Sequence, residues 1–259
     1  MMYEMISSSF PLLIIIGVIA GILGSLVGIG GGVIISPALA FSGLAPAQVA
    51  STSLIAVSST SSSSVIAYAR LRKIKYSVGL KMALFSSPGA ILGVFLSLHI
   101  SAVQFRLLFA VLLTATGLYL LFRNSILGGH KFNTNTILFK IIFYFGSICA
   151  GVISSLFGIG GGVIFVPLLV LIVGMSMSSA VPTSQLSLLS TSLIGTVTHV
   201  ILGNPEYFYA LFLCIGSFVG AQIGAKLSAR FRGPTLEKIF AFVLMGVAVQ
   251  FVLGFYLNK

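Results

Sequence analysis

The residues with the most chemical potential in this chain are not titratable ones. Two blocks spelled GIGGG, at Gly28–Gly32 and Gly158–Gly162, lie inside apolar stretches, and each is followed by a proline, Pro37 and Pro167. Gly28, Gly30, Gly31 and Gly32, with Gly158, Gly160, Gly161 and Gly162, allow positive φ and close backbone approach. Helices restarting at Val33 and Val163 would present unbonded N–H groups and the positive ends of their dipoles, which together make an anion site. A hydroxyl-rich segment follows each block: Thr52 and Ser53 in "VASTSL", then Thr183, Ser184 and Gln185 in "VPTSQL". Hydroxyls and amides are neutral donors that can solvate an anion without binding it irreversibly. Single serines on apolar helices are ordinary interhelical glue. These five are expected to line a substrate path because they begin a helix beside each glycine break. Pro37 and Pro167 are candidate hinges, since proline interrupts the helical ladder.

What the chain lacks narrows the chemistry further. It has no Asp and only three Glu: Glu4, Glu206 and Glu237, all at or beyond the ends of apolar runs. No carboxylate is therefore placed to bind a cation or relay protons through a membrane. The three histidines and two cysteines have no metal-ligand spacing, and no nucleophile–base pair is apparent, so neither a metal, a cofactor nor an enzyme is expected. The glycine blocks are not phosphate loops, because no GK[ST] follows.

The elements that must hold these residues follow from composition. The chain is 58% hydrophobic and 7% charged, with a mean hydropathy of +1.17, against roughly 25% charged residues in a soluble domain. An all-α integral membrane protein is expected. Its apolar runs are Phe10–Val27, Val33–Phe41, Ala47–Ala69, Val78–Leu98, Val103–Phe122, Thr136–Phe157, Val163–Gly174, Ala180–Leu202, Tyr207–Leu227 and Leu236–Tyr256. The net charge of +11 reads as lipid topology rather than nucleic-acid binding, because basic residues collect in cytoplasmic loops.

The glycine blocks belong to a longer repeat. "GILGSLVGIGGGVIISPAL" aligns with "GVISSLFGIGGGVIFVPLL", "VASTSL" with "VPTSQL", "GAILG" with "GAQIG", and "RLLFAVLL" with "KIFAFVLM". The halves are residues 1–125 and 136–259, joined by a linker at 126–135 within one membrane domain. Equivalent loops carry opposite charge bias. Arg70, Arg72, Lys73, Lys75 and Lys81 surround a loop whose counterpart near Asn204 has no base, whereas Lys226, Arg230, Arg232 and Lys238 face a poorly charged loop near His99. The positive-inside rule then makes the repeats inverted, with both termini outside. Inversion requires an odd number of crossings per half. Each half is therefore expected to hold three transmembrane helices plus a Gly-broken helix pair that either forms a hairpin or crosses twice.

With GIGGGVI(I/F)xP repeated in two inverted halves of an acid-poor membrane protein, the sequence resembles the TauE/SafE family of sulfite exporter-like permeases. The resemblance spans about Pro11 to Leu257. It implies transport of a small anionic substrate, such as sulfite or a sulfonate, across a prokaryotic inner membrane. It places the motif on the eight glycines above with Pro37 and Pro167. "PTSQ" at Pro182–Gln185 also resembles the family, while "ASTS" in the first half departs from it and makes the two halves chemically unequal. The expected function is a secondary anion transporter, most simply an exporter, working by alternating access; a passive anion channel is the alternative. The lipid bilayer is the expected surrounding, and a homodimer is compatible with the sequence but not required by it.

Overall fold

The computed structural model describes residues 10–127 and 137–231, together with 235, 236, 238, 239, 241, 242 and 245–247. The helices with complete bounds among these are α1 (Phe10–Val27), α2 (Gly32–Ala40), α3 (Pro46–Arg70), α4 (Tyr76–Ser97), α5 (Ala102–Leu127), α6 (Ile137–Phe157), α7 (Gly162–Leu171), α8 (Met177–Ile201) and α9 (Tyr207–Ser228); no strand occurs among the described residues. Helix α5 runs two residues into the stretch expected as linker. The rest of that linker, and most of the run expected at Leu236–Tyr256, lie outside the described residues.

Length and polarity sort the helices. α1, α4, α6 and α9 have 18 to 22 residues and are apolar enough to cross a bilayer, being about 27–33 Å long at ~1.5 Å per residue. α2 and α7 have 9 and 10 residues and reach only about 15 Å. α3 and α8 have 25 residues each and carry most of the hydroxyls. They stay helical in an apolar core because many hydroxyls bond back to their own helix: Ser58 to the Leu54 carbonyl, Thr60 to Ala56, Ser64 to Thr60 and Thr191 to Ser187. α3 and α8 pack against each other and form the centre of the bundle.

The hairpin-or-crossing alternative resolves to hairpins. Phe10, at the start of α1, packs on Phe212 near the start of α9. The Arg106 guanidinium, near the start of α5, donates to the Ala40 carbonyl at the end of α2 (3.0 Å). Gln48, in the first turn of α3, donates to Glu206 just before α9 (2.9 Å). Both ends of the α1–α2 pair therefore lie at one end of the bundle. At the opposite end, Lys140 of α6 and Ile172 after α7 line the same cleft as Lys81 of α4. The two glycine-broken pairs enter from opposite ends, an arrangement consistent with inverted repeats.

Each hairpin is seated on the other half. The most extensive helix pairing is α1 with α9, and the next is α4 with α6. Both seams are built from small residues, which let backbones touch. A Cβ at Gly17 would stand 2.6 Å from the Leu213 carbonyl oxygen, and one at Gly89 or Gly93 would collide with the Ile148 or Val152 carbonyl.

Several of the basic residues gather at one end of the bundle. Arg70 to Lys75 close α3 and open α4 at one end, where the Lys73 ammonium donates to the Ala229 carbonyl beyond α9 (3.3 Å). Glu206 and Arg106 lie at the other end.

Candidate functional site

The two breaks repeat the same glycine dihedral angles. α1 ends at Val27 and α6 at Phe157. Gly28, Gly30 and Gly31 have φ of 88°, 78° and 81°, and Gly158, Gly160 and Gly161 have 72°, 80° and 81°. These angles lie in the left-handed region that an L side chain rarely enters, which is why each break is written in glycine. α2 restarts at Gly32 on the N-cap Gly31, and α7 at Gly162 on Gly161, with no side-chain cap at either. The amides of Gly28, Ile29 and Gly30 all converge on the Gly24 carbonyl at 3.0–3.1 Å. Those of Gly31, Gly32 and Val33, and of Gly161, Gly162 and Val163, make no hydrogen bond to another described residue outside their helices.

The breaks cross at the centre of the bundle. Gly32 lies against the Gly158 carbonyl and Gly162 against the Gly28 carbonyl, each so closely that a Cβ would collide with the oxygen. Val57 at the middle of α3 and Leu188 at the middle of α8 cover both Gly30 and Gly160. All the glycine positions, with Val33 and Val163, are buried.

Side chains join the breaks across the halves. The Ser53 hydroxyl donates to the Gly158 carbonyl (2.7 Å), and the Ser184 hydroxyl donates to the Gly28 carbonyl (3.0 Å). Gln185 Nε2 donates to the Gly24 carbonyl (2.8 Å), while its Oε1 has no partner. These three expected residues meet the breaks. Thr52 and Thr183 are buried but do not: their hydroxyls accept from the backbone N–H of Glu206 (3.0 Å) and Lys75 (3.1 Å), the residues that cap α9 and α4. They anchor loops at opposite ends of the bundle. Pro37 and Pro167 lie within α2 and α7, past the restarts.

The pairing also corrects the repeat register. The contacts match Thr52 with Thr183 and Ser53 with Ser184, so Gln185 stands opposite Leu54 rather than opposite Ser53, as the letters "VASTSL" and "VPTSQL" suggest. α7 is one residue longer than α2, so equivalent positions after it stand one residue further apart than the glycine blocks do, whereas the letter match sets them two further apart.

Three residues were not foreseen. The buried Ser36 of α2 donates to the Phe157 carbonyl (2.8 Å), with Ser53 Oγ 3.1 Å away; its counterpart is Val166, an apolar neighbour of Gly28. The one sequence signal was a lone polar letter in "VIISPAL" facing "VIFVPLL". Val57 and Leu188 carried no signal, being ordinary apolar letters in apolar helices. His199, in the last turn of α8, is fully buried, with Asn204 Nδ2 donating to its Nδ1 (3.0 Å). No cluster of metal-binding side chains occurs among the described residues.

Comparison with known proteins places the chain in a family. The family described as Sulfite exporter TauE/SafE matches residues 13–251. The Bacillus subtilis "Probable membrane transporter protein YunE" is 30% identical, with 94% of this chain and 97% of that protein aligned. "Probable membrane transporter protein MJ0441" of Methanocaldococcus jannaschii is 28% identical over 94% of this chain and 95% of its own length. "Probable membrane transporter protein YfcA" of Escherichia coli K12 is 26% identical over 83% and 79%. No solved structure matches the chain. The chain belongs to the sulfite exporter TauE/SafE family, and it is a multi-pass membrane transporter.

Proposed function

From that membership, we propose that the protein is a secondary carrier of small anions of the sulfite and sulfonate class, residing in the prokaryotic inner membrane and exporting its substrate. The observation that carries this reading is the crossing of the two breaks, where the backbone amides of six buried residues at two helix starts have no hydrogen-bond partner among the described residues outside their helices. Backbone N–H groups left unsatisfied in an apolar core cost several kcal/mol, order of magnitude, unless something accepts from them. A small anion is such an acceptor, and it also opposes two positive dipole ends. Further polar capacity surrounds the crossing: the hydroxyls of Ser25, Ser154 and Ser155, in the last turns of α1 and α6, and the Gln185 carbonyl oxygen are buried without partners.

The tight closure of the breaks fits a site that opens by relative movement rather than a standing pore. Loosening Gly32 from Gly158 or Gly162 from Gly28 would uncover the amides from one side at a time. Pro37 and Pro167, where the helical ladder is already interrupted, are the natural flexing points. A monoanion leaving the cell would run down the inside-negative potential, worth about 2.3 kcal/mol per charge per 100 mV, so no buried acid is needed to drive export.

The test is counterflow in liposomes containing the purified protein. Labelled sulfite or a small sulfonate should exchange against the same unlabelled anion inside, with carboxylates exchanging poorly. Gly160→Val and Gly161→Val should abolish exchange. Equal rates for carboxylates would remove the substrate assignment, flux without acceleration by trans substrate would indicate a channel, and undiminished exchange in the glycine variants would remove the site.

A further inference from the structure

The first turns of α4 and α6 meet the end of α7 in a cleft of about 200 Å³, lined by Val78 and Lys81 from α4, Lys140, Phe143 and Tyr144 from α6, and Ile172. Lys81 and Lys140 both line this cleft. Glu206, the one acid whose structure is described, lies at the opposite end of the bundle and is bonded to Gln48. On the far wall Tyr144 packs at a tilt on Phe85 with ring centroids 4.2 Å apart, and Phe143 meets Tyr144 edge-on at 5.5 Å.

The repeat supplies a comparison within the same molecule. By the pairing established above, Lys140 corresponds to Phe10 and Lys81 to Phe212. At that end the two rings pack together, with centroids 5.7 Å apart. The same backbone corner is thus filled by its own side chains at one end and left as a basic cleft at the other. The cleft lies at a membrane interface: Lys81 is five residues into α4 and Lys140 three into α6, about 7 and 5 Å along their axes. Beyond it, Leu84 and Phe145 on the same two helices are 69% and 66% exposed, an apolar surface that acyl chains would cover. Lysines with aromatic side chains at this depth are a headgroup-binding combination.

We propose that this cleft binds the headgroup of an anionic phospholipid, its phosphate between Lys81 and Lys140 and its acyl chains along the exposed faces of α4 and α6. The site is separate from the crossed breaks and does not depend on what the protein transports.

Native mass spectrometry of the detergent-purified full chain tests it, with phosphatidylglycerol, phosphatidylcholine and inorganic phosphate as separate additions. Phosphatidylglycerol should be retained in preference to phosphatidylcholine. The double variant Lys81→Gln/Lys140→Gln should weaken that retention by about 30-fold, at roughly fivefold per lysine. Lys81→Arg/Lys140→Arg should preserve it, and Arg72→Gln/Arg230→Gln should leave it unchanged. Equal retention of the two lipids would overturn the proposal. So would an unaffected Lys81→Gln/Lys140→Gln protein, an equal loss in Arg72→Gln/Arg230→Gln, or displacement of the lipid by equimolar inorganic phosphate, which would make free phosphate the ligand.

Discussion

At the break around Gly158, two serines from the other half close the carbonyls: Ser53 on Gly158 and Ser36 on Phe157. At the break around Gly28, Ser184 takes the part of Ser53, Val166 replaces Ser36, and Gln185 adds an amide on Gly24. The shared part is what the backbone demands. A carbonyl freed from a helix and buried must find a donor, and one serine per break supplies it. The unshared part is not demanded by the backbone, since a hydroxyl on one side and a methyl on the other both pack. The difference therefore separates residues that build the crossing from residues free to set what it accepts, with Ser36 and Gln185 in the second group.

The comparison breaks most sharply at its shared element. Gly32→Ala and Gly162→Ala each push a methyl into a backbone carbonyl that cannot step aside, and each is expected to cost about 3 kcal/mol or more and to abolish counterflow. Thermal unfolding in detergent measures the stability change; a large loss in one variant and none in the other would show that the breaks do not support each other. Ser36→Ala should cost about 1 kcal/mol or less, since the matching break seats a Val166 methyl there in place of a hydroxyl, and Val166→Ser should likewise stay within about 1 kcal/mol, because a hydroxyl there faces the carbonyl end of α1. Ser53→Ala and Ser184→Ala should each cost about 1 kcal/mol, and their near-equality by denaturant titration is the check on the register. Gln185→Leu, which copies Leu54, should move stability by less than about 1 kcal/mol, because it removes one hydrogen bond and one unpaired oxygen together. Its expected effect is on substrate ranking in a counterflow panel, and an unchanged ranking would remove Gln185 from the selectivity group.

Much of this was legible in the order of letters. Glycine repeated in one block at matching places, with an apolar context and a following proline, has few structural outcomes in a membrane, and the breaks fall where the blocks are. Opposite charge bias in equivalent loops was enough to place Lys75 and Glu206 at opposite ends. The hydroxyl helices were only partly legible. Thr52 and Ser53 are neighbours in the chain, yet on a helix neighbours point about 100° apart, so one reaches a break and the other a loop. The repeat register slipped because matching Val49 with Val181 allows for two added residues, where α7 adds only one. Val57 and Leu188 were invisible for a different reason: an apolar side chain in an apolar helix takes its role from what faces it, and what faces these two is set by the crossing of segments more than a hundred residues apart.

The seating of α1 on α9 has a bearing on how the molecule is made. Some 180 residues separate Val27 from Tyr207, and a ribosome working at about 5–20 residues per second needs roughly 10–40 s to cover them. Throughout that interval the first hairpin sits in the bilayer with its glycine seam facing lipid and its lasting neighbour not yet synthesised. The α1–α9 seam therefore closes only once α9 has been made, and of the two hairpins the first waits longer for its partner helix.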